Sequence, residues 1–125
     1  MATVLLVEDN EVNQIVASKM IKRVGLSVDI AGNGVEALAM LENNCYELIF
    51  MDLHMPDMDG YEATRNIRHL QIQTPIIAIT AVTDKTVEQY CIDAGMNDFV
   101  AKPIIMTVLH EKIDYWIQQQ LIESA

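Results

Sequence analysis

Thr3-Val4-Leu5-Leu6-Val7-Glu8-Asp9-Asn10 decides the fold of this chain. Val4 to Val7 make a short, unbroken apolar run, the pattern of a parallel strand buried on both faces. Two acids follow at once, and then Asn10, whose side-chain oxygen suits a helix N-cap. The spacing of Val12, Ile15, Val16 and Met20 predicts the apolar face of a helix running to about Val24, and Gly25 supplies its stop.

The same strand-then-helix unit recurs four more times. Ser27–Ala31 reads as a second, weaker strand, and Asn33 with Glu36 three residues on opens a helix to about Asn43. Residues 47–52 (Glu-Leu-Ile-Phe-Met-Asp) form a third strand that ends on a carboxylate. Asp59 with Glu62 repeats the capping pattern for a helix to about Leu70. Pro75 precedes the strand Ile76–Thr80, and Thr83 or Asp84 caps a helix that ends before Gly95. Asp98–Ala101 is the fifth strand, and Lys102-Pro103 breaks the chain. A last helix, residues 105–120, sets Leu109, Ile113, Trp116 and Ile117 on one face. Five βα units with short connections and right-handed crossovers predict an α/β fold, a doubly wound five-stranded parallel sheet with five helices. At 125 residues the chain is expected to be one domain, residues 1–125, with no linker or repeat.

Composition narrows the function. Eight Lys and Arg against eighteen Asp and Glu give a net charge of −10, which opposes direct nucleic-acid binding and contact with anionic membranes. Cys45 and Cys91 have no short spacing to each other or to a histidine, so neither a disulfide framework nor a zinc site follows. Both read as small, partly buried residues of a reducing compartment. With no signal-like N-terminus and no apolar run of spanning length, a cytoplasmic location is expected, on a free protein or on the cytoplasmic side of a membrane-bound parent. The eight methionines read mostly as core gap-fillers, with Met55 and Met58 as alternative contributors to a docking surface. His69 and His110 read as exposed helix residues.

The chemically capable side chains fall at one place. Glu8 and Asp9 end the first strand, Asp52 the third and Thr80 the fourth, and Lys102 follows the fifth. All lie at the carboxyl edge, where open α/β sheets put their sites. Each alone has an ordinary explanation as a helix cap, a β-former or a loop lysine; their convergence does not. Three carboxylates together repel, and desolvation raises their pKa values. A hard divalent cation with oxygen ligands relieves both penalties, Mg²⁺ being the usual one and Mn²⁺ a substitute. Lys102 adds a compact positive charge and the Thr80 hydroxyl a hydrogen bond. Around an exposed Asp52 carboxylate, these groups suit an incoming phosphoryl group, with Asp52 as nucleophile.

Val7-Glu8-Asp9-Asn10, the run from Met51 to Gly60 (Met-Asp-Leu-His-Met-Pro-Asp-Met-Asp-Gly), Thr80-Ala81 and Phe99-Val100-Ala101-Lys102-Pro103 together resemble the response-regulator receiver domains of two-component signalling. The likeness covers essentially the whole chain, and it implies a flavodoxin-like strand order, 2-1-3-4-5. It implies that Asp52 accepts a phosphoryl group from a phosphohistidine on a histidine kinase or histidine phosphotransfer domain. Asp9, Asp52 and the His54 backbone carbonyl would hold Mg²⁺, Glu8 acting mainly through water. Lys102 would contact the phosphoryl group, and the peptide to Pro103 would be cis. Thr80 and Phe99 would form a switch that remodels the surface of helix 4, strand 5 and helix 5, although Phe99 also fits a plain core aromatic. His54 and Val82 would set how long the phosphoryl group survives. Such a domain catalyses only its own phosphorylation and dephosphorylation, and phosphorylation-dependent homodimers are compatible with it. Glu8-Asp9-Asn10-Glu11-Val12-Asn13-Gln14 is most similar to receivers of hybrid sensor kinases and phosphorelays, where Asn13 and Gln14 are otherwise ordinary helix surface.

Two rivals compete for the same residues. Gly32-Asn33-Gly34-Val35-Glu36-Ala37 matches the dinucleotide fingerprint, with Asp52 near the spacing of a ribose-binding acid. That reading leaves Glu8, Asp9, Thr80 and Lys102 without roles. An aspartyl-nucleophile phosphatase would need a second Asp two residues after the first, where this chain has His54.

Overall fold

The computed structural model describes residues 2–124, with side-chain surroundings through residue 119. Strands and helices alternate as β1 (Thr3–Val7), α1 (Glu11–Arg23), β2 (Ser27–Ala31), α2 (Gly34–Asn43), β3 (Leu48–Asp52), α3 (Gly60–His69), β4 (Ile76–Thr80), α4 (Lys85–Ala94), β5 (Asp98–Ala101) and α5 (Met106–Ser124). The strands form one parallel sheet in the order β2-β1-β3-β4-β5. The expected doubly wound fold and its order are both present.

Strand geometry turns successive residues to opposite faces, so β1 feeds two cores. Leu5 and Val7 pack with Ala37 and Leu41 of α2, Ala63 and Ile67 of α3, and Cys91 of α4. Val4 and Leu6 pack with Ala17 and Ile21 of α1 and Leu109 and Ile113 of α5. Every residue of the central strands β3 and β4 is buried, whereas edge strand β2 exposes Asp29 and Ile30. The weaker apolar run of β2 follows from that edge position.

The helix starts are set by side-chain caps. Asn10, Asn33, Asp59 and Asp84 each accept, through Oδ1, the backbone N–H three residues on, at 2.7–3.0 Å. Asp84, not Thr83, therefore opens α4. Gly95 closes it in the left-handed region at φ 110°, a conformation that glycine adopts without steric cost.

Three expectations about packing are corrected. The buried face of α1 is Ala17, Ser18 and Ile21, with Met20 packed at its side, whereas Val12, Ile15 and Val16 are 67%, 55% and 51% exposed. Small residues let this helix lie close to the sheet, and its bulky aliphatics are turned out to solvent. Cys45 is exposed and Cys91 fully buried, so neither is the partly buried residue expected. Met55 is buried with Met51 in the core beneath α3, which removes it from any docking surface, and Met58 packs at the rim of the same core.

Arg68, at the end of α3, staples the sheet's other edge. Its guanidinium donates to the carbonyls of Gly95 (3.0 Å), Ile72 (2.8 Å) and Thr74 (2.9 Å) and to Asn97 Oδ1 (2.9 Å). Asn97 Oδ1 in turn accepts the Ile76 N–H that opens β4. Loss of several charge-assisted hydrogen bonds from a half-buried group costs more than a surface substitution. Arg68→Met is expected to lower unfolding stability by about 2–4 kcal/mol, measured as a shifted urea midpoint. A loss under about 0.5 kcal/mol would show that water satisfies these carbonyls equally well.

Candidate functional site

Parallel strands end at a common edge, and the register of this sheet brings the expected residues to it. Val7 pairs with Met51, Asp52 with Ile79, and Thr80 with Ala101, so Glu8, Asp52, Thr80 and Lys102 follow one another across four adjacent strand ends. Glu8, Asp9 and Asp52 each offer a carboxylate oxygen within 4.8 Å of the others. Lys102 Nζ lies 3.3 Å from Asp52 Oδ1, and the His54 N–H donates to the same oxygen at 3.3 Å. The Lys102-Pro103 peptide is cis, as expected.

Asp52 is not the exposed carboxylate expected of it. It is 2% exposed, as is Glu8 at 3%, while Asp9 lies open to solvent. Burial beside a second carboxylate disfavours the charged form of Glu8. Burial pushes the Glu8 carboxyl up to about 7; hydrogen bonding to Asp52 acts in the same direction, and Asn13 opposes it. Glu8 Oε1 is buried with no hydrogen-bond partner among the described residues, an orphaned acceptor on a residue of the acidic cluster. These donors, all hard oxygen and one of them unsatisfied, fit a Mg²⁺-type cation.

Of the remaining expected residues, His54 reaches the cluster through its N–H and Thr80 ends the adjacent strand, whereas Phe99 faces Lys112 and a cavity on the α4 side. Thr80, 1% exposed, turns its hydroxyl back to its own loop, donating to the Val82 carbonyl (3.0 Å) and accepting the Val82 N–H (3.1 Å). Val82 meets Thr80 through its backbone alone, and the residue is 45% exposed. The His54 side chain is exposed at the mouth of the site, and Phe99 is half-buried one residue into β5. His69 and His110 are exposed and distant in sequence from every site element.

Three contributions escaped the sequence. Asn13 reaches Glu8 from the first turn of α1, and Gln14 Nε2 donates to the Glu8 carbonyl at 2.7 Å. Their place beside the acids depends on how α1 rotates against the sheet, which its misleading aliphatic spacing concealed. Gly60 is the third: a Cβ there would lie 2.5 Å from the Asp52 carbonyl oxygen. Its signals were its place at the end of the Met51–Gly60 run and directly after a capping aspartate, neither of which shows the close approach.

The rival fingerprint is explained by packing. Gly34 packs against α3 and the loop before it, with Met58 Sδ 2.6 Å and Ala63 Cβ 3.3 Å from the place a Cβ would take. Edge strand β2 is separated from β3 by β1, so Asp52 does not neighbour the Gly32–Ala37 turn as a ribose-binding acid must.

The family described as the response regulator receiver domain matches residues 4–114. Over 114 residues the chain is 45% identical to hybrid signal transduction histidine kinase B of Dictyostelium discoideum, covering 81% of this chain and 6% of that protein. It therefore spans a small fraction of the length of the hybrid kinases it matches. It is 34% identical to two-component response regulator 24 of Arabidopsis thaliana, covering 93% of this chain and 86% of that one. Among solved structures, the receiver domain of sensor histidine kinase PA1611 from Pseudomonas aeruginosa PAO1, with magnesium coordinated in its active-site cleft, superposes with a TM-score of 0.86. It is 39% identical, over 94% of this chain and 98% of that one. The Saccharomyces cerevisiae co-crystal of the phosphotransfer protein Ypd1 with the receiver domain of Ssk1 gives a TM-score of 0.88 at 31% identity, over 95% and 90% of the chains.

Proposed function

This chain belongs to the response regulator receiver domain family of two-component signalling, and we propose that Asp52 is its phosphoacceptor. The observation that carries this reading is the buried Asp52 carboxylate, with Lys102 Nζ at 3.3 Å and the Glu8 and Asp9 oxygens clustered beside it. An Asp52 oxygen attacks the phosphorus of a phosphohistidine; the O–P bond forms, the P–N bond breaks, and the imidazole leaves with the electron pair. Lys102 offsets the charge of the transferring oxygens, as does the His54 N–H at the carboxylate. Asp9, Asp52 and the His54 carbonyl would hold Mg²⁺, or Mn²⁺ in its place, with Glu8 placed to act through water. That cation supplies the positive charge that lets three acids face a phosphoryl group. Later hydrolysis of the acyl phosphate returns the carboxylate and releases inorganic phosphate. The domain is thus a self-limiting switch and not a turnover enzyme, and we read the chain as one receiver domain acting in the cytoplasm. Incubation with Mg²⁺ and acetyl phosphate tests the reading: one acid-stable, base-labile phosphoryl adduct per chain is expected, and an adduct on another residue overturns it.

The switch follows from the resting position of Thr80. Its hydroxyl is engaged with Val82, so drawing it toward a phosphoryl group on Asp52 breaks both contacts and frees the start of the β4–α4 loop. Phe99 turns inward behind it, remodelling the α4–β5–α5 surface for an output partner or a second copy. His54 and Val82 stand at the mouth of the site and set access of water to the acyl phosphate. His54→Ala and Val82→Ala are each expected to change the rate of phosphate loss severalfold while phosphorylation persists. Unchanged decay of labelled phosphate in both would remove them from this role.

The partner is a histidine kinase or histidine phosphotransfer domain, and α1 supplies a surface for it. Val12, Ile15 and Val16 expose an aliphatic stripe beside the site, continued by Ile105 at 60% exposure. Val16 also lines a cavity of about 230 Å³ with Lys102, Pro103 and Ile104, so the stripe leads into the site. Exposed apolar patches of this kind mark protein contacts. Val16→Asp is expected to slow transfer from a phosphotransfer protein about tenfold or more, with acetyl phosphate phosphorylation unaffected. Equal slowing with both donors would place the defect in the site and not in docking.

A further inference from the structure

We propose that Lys112 is a positioning residue that holds the Phe99 ring in its unphosphorylated place, an inference that rests on the reading of Phe99 as part of the switch. Asp98 opens β5, and its carboxylate takes three donors. Oδ1 accepts the Phe99 N–H at 2.8 Å and Lys112 Nζ at 2.8 Å, while Oδ2 accepts Trp116 Nε1 at 2.9 Å. Lys112 and Trp116 are four residues apart on α5, so both reach the same carboxylate from one helix face.

This arrangement differs from an ordinary surface ion pair, which holds little in place. The side chains of Lys112 and Asp98 are only 31% and 18% exposed, and two further hydrogen bonds, from the Phe99 N–H and Trp116 Nε1, fix the carboxylate that fixes the ammonium. The ammonium is thereby held 5.6 Å from the centroid of the Phe99 ring, within cation–π reach. Phe99 also lines a cavity of about 80 Å³ with Cys91, Ile92 and Met96 of the α4 side. The ring has a cation as its partner in the resting state and unfilled space beside it. An inward turn behind Thr80 forfeits the contact with Lys112. Lys112 therefore weights the resting position, and Asp98 and Trp116 couple that weight to α5.

The test compares Lys112→Met, which keeps the alkyl stem and removes the charge, with Lys112→Arg, which keeps a cation over the ring. The readouts are the rate of phosphorylation by acetyl phosphate with Mg²⁺ and the emission of Trp116, the chain's one tryptophan. Lys112→Met is expected to react about two- to fivefold faster, the population shift equivalent to an exposed cation–π contact. Lys112→Arg is expected to stay near the wild-type rate, and the gain is expected to vanish in a Phe99→Leu background. An unchanged or slower Lys112→Met, an Arg variant that behaves like Met, or a gain that survives Phe99→Leu overturns the proposal. Phosphorylation of the wild type at Asp52 in the same experiment separates these outcomes from failure of the phosphoacceptor reading, which would remove both.

Discussion

Asp52→Asn is expected to abolish the base-labile phosphoryl adduct formed from acetyl phosphate, a loss of roughly a thousandfold or more. The amide is nearly isosteric, so the buried end of β3 keeps its shape. It is neutral, however, and offers no anionic oxygen to attack phosphorus. It also withdraws one of the three carboxylates gathered within 4.8 Å, so the acidic cluster loses charge together with the proposed nucleophile. Chelation of Mg²⁺ is expected to give a comparable loss in the wild type, since Glu8, Asp9 and Asp52 would then face a phosphoryl group with Lys102 alone, among the described residues, paired to Asp52 as a cation. The two losses have different causes, and restoring Mg²⁺ rescues only the second. Labelling that persists in Asp52→Asn would move the acceptor to another side chain, with the exposed Asp9 as the nearest alternative acid.

The parts of this site that were legible in sequence are those set by strand ends. β4 and β5 have the boundaries that their apolar runs predict, and every helix cap except the choice between Thr83 and Asp84 was fixed by residue type. Parallel strands then deliver Glu8, Asp52, Thr80 and Lys102 to one edge whatever their order. The order itself came from likeness to a family, because crossover handedness does not say which strand lies at the edge. What sequence concealed depends on how elements rotate and approach. The bulky side chains of α1 suggested the wrong buried face, because Ala17 and Ser18 allow a close approach that larger residues would prevent. That rotation carries Asn13 to Glu8 and Val16 to the mouth of the site. Likewise the burial of Asp52 follows from packing around β3 and α3 and is invisible in a motif that shows only an acid at a strand end.

Gly60 shows how that packing sets the site, and its replacement carries the second large effect. A Cβ at Gly60 would stand 2.5 Å from the Asp52 carbonyl oxygen, 2.9 Å from Leu53 Cα and 3.1 Å from Met51 Cγ. Two of the three are backbone atoms, which cannot swing aside as a long side chain can. The Gly60 N–H also donates to the Leu53 carbonyl at 3.1 Å, tying the first turn of α3 to the strand that bears Asp52. Gly60→Ala must therefore push α3 outward or shift the end of β3. Overpacking of this kind is expected to cost about 2–3 kcal/mol of stability. A displacement of Asp52 by even part of an ångström should also slow phosphorylation at least about tenfold, since misplacement of about 1 Å costs roughly a hundredfold. Gly25→Ala separates the two effects. That glycine has φ 97° and nothing within 4 Å of its Cβ position, so Ala there strains the backbone without touching the site. It is expected to lower stability by about 1 kcal/mol and leave the phosphorylation rate unchanged. If Gly60→Ala lost only stability, α3 alone would have yielded, and β3 would be held by its β1 and β4 neighbours, not by the helix that follows it.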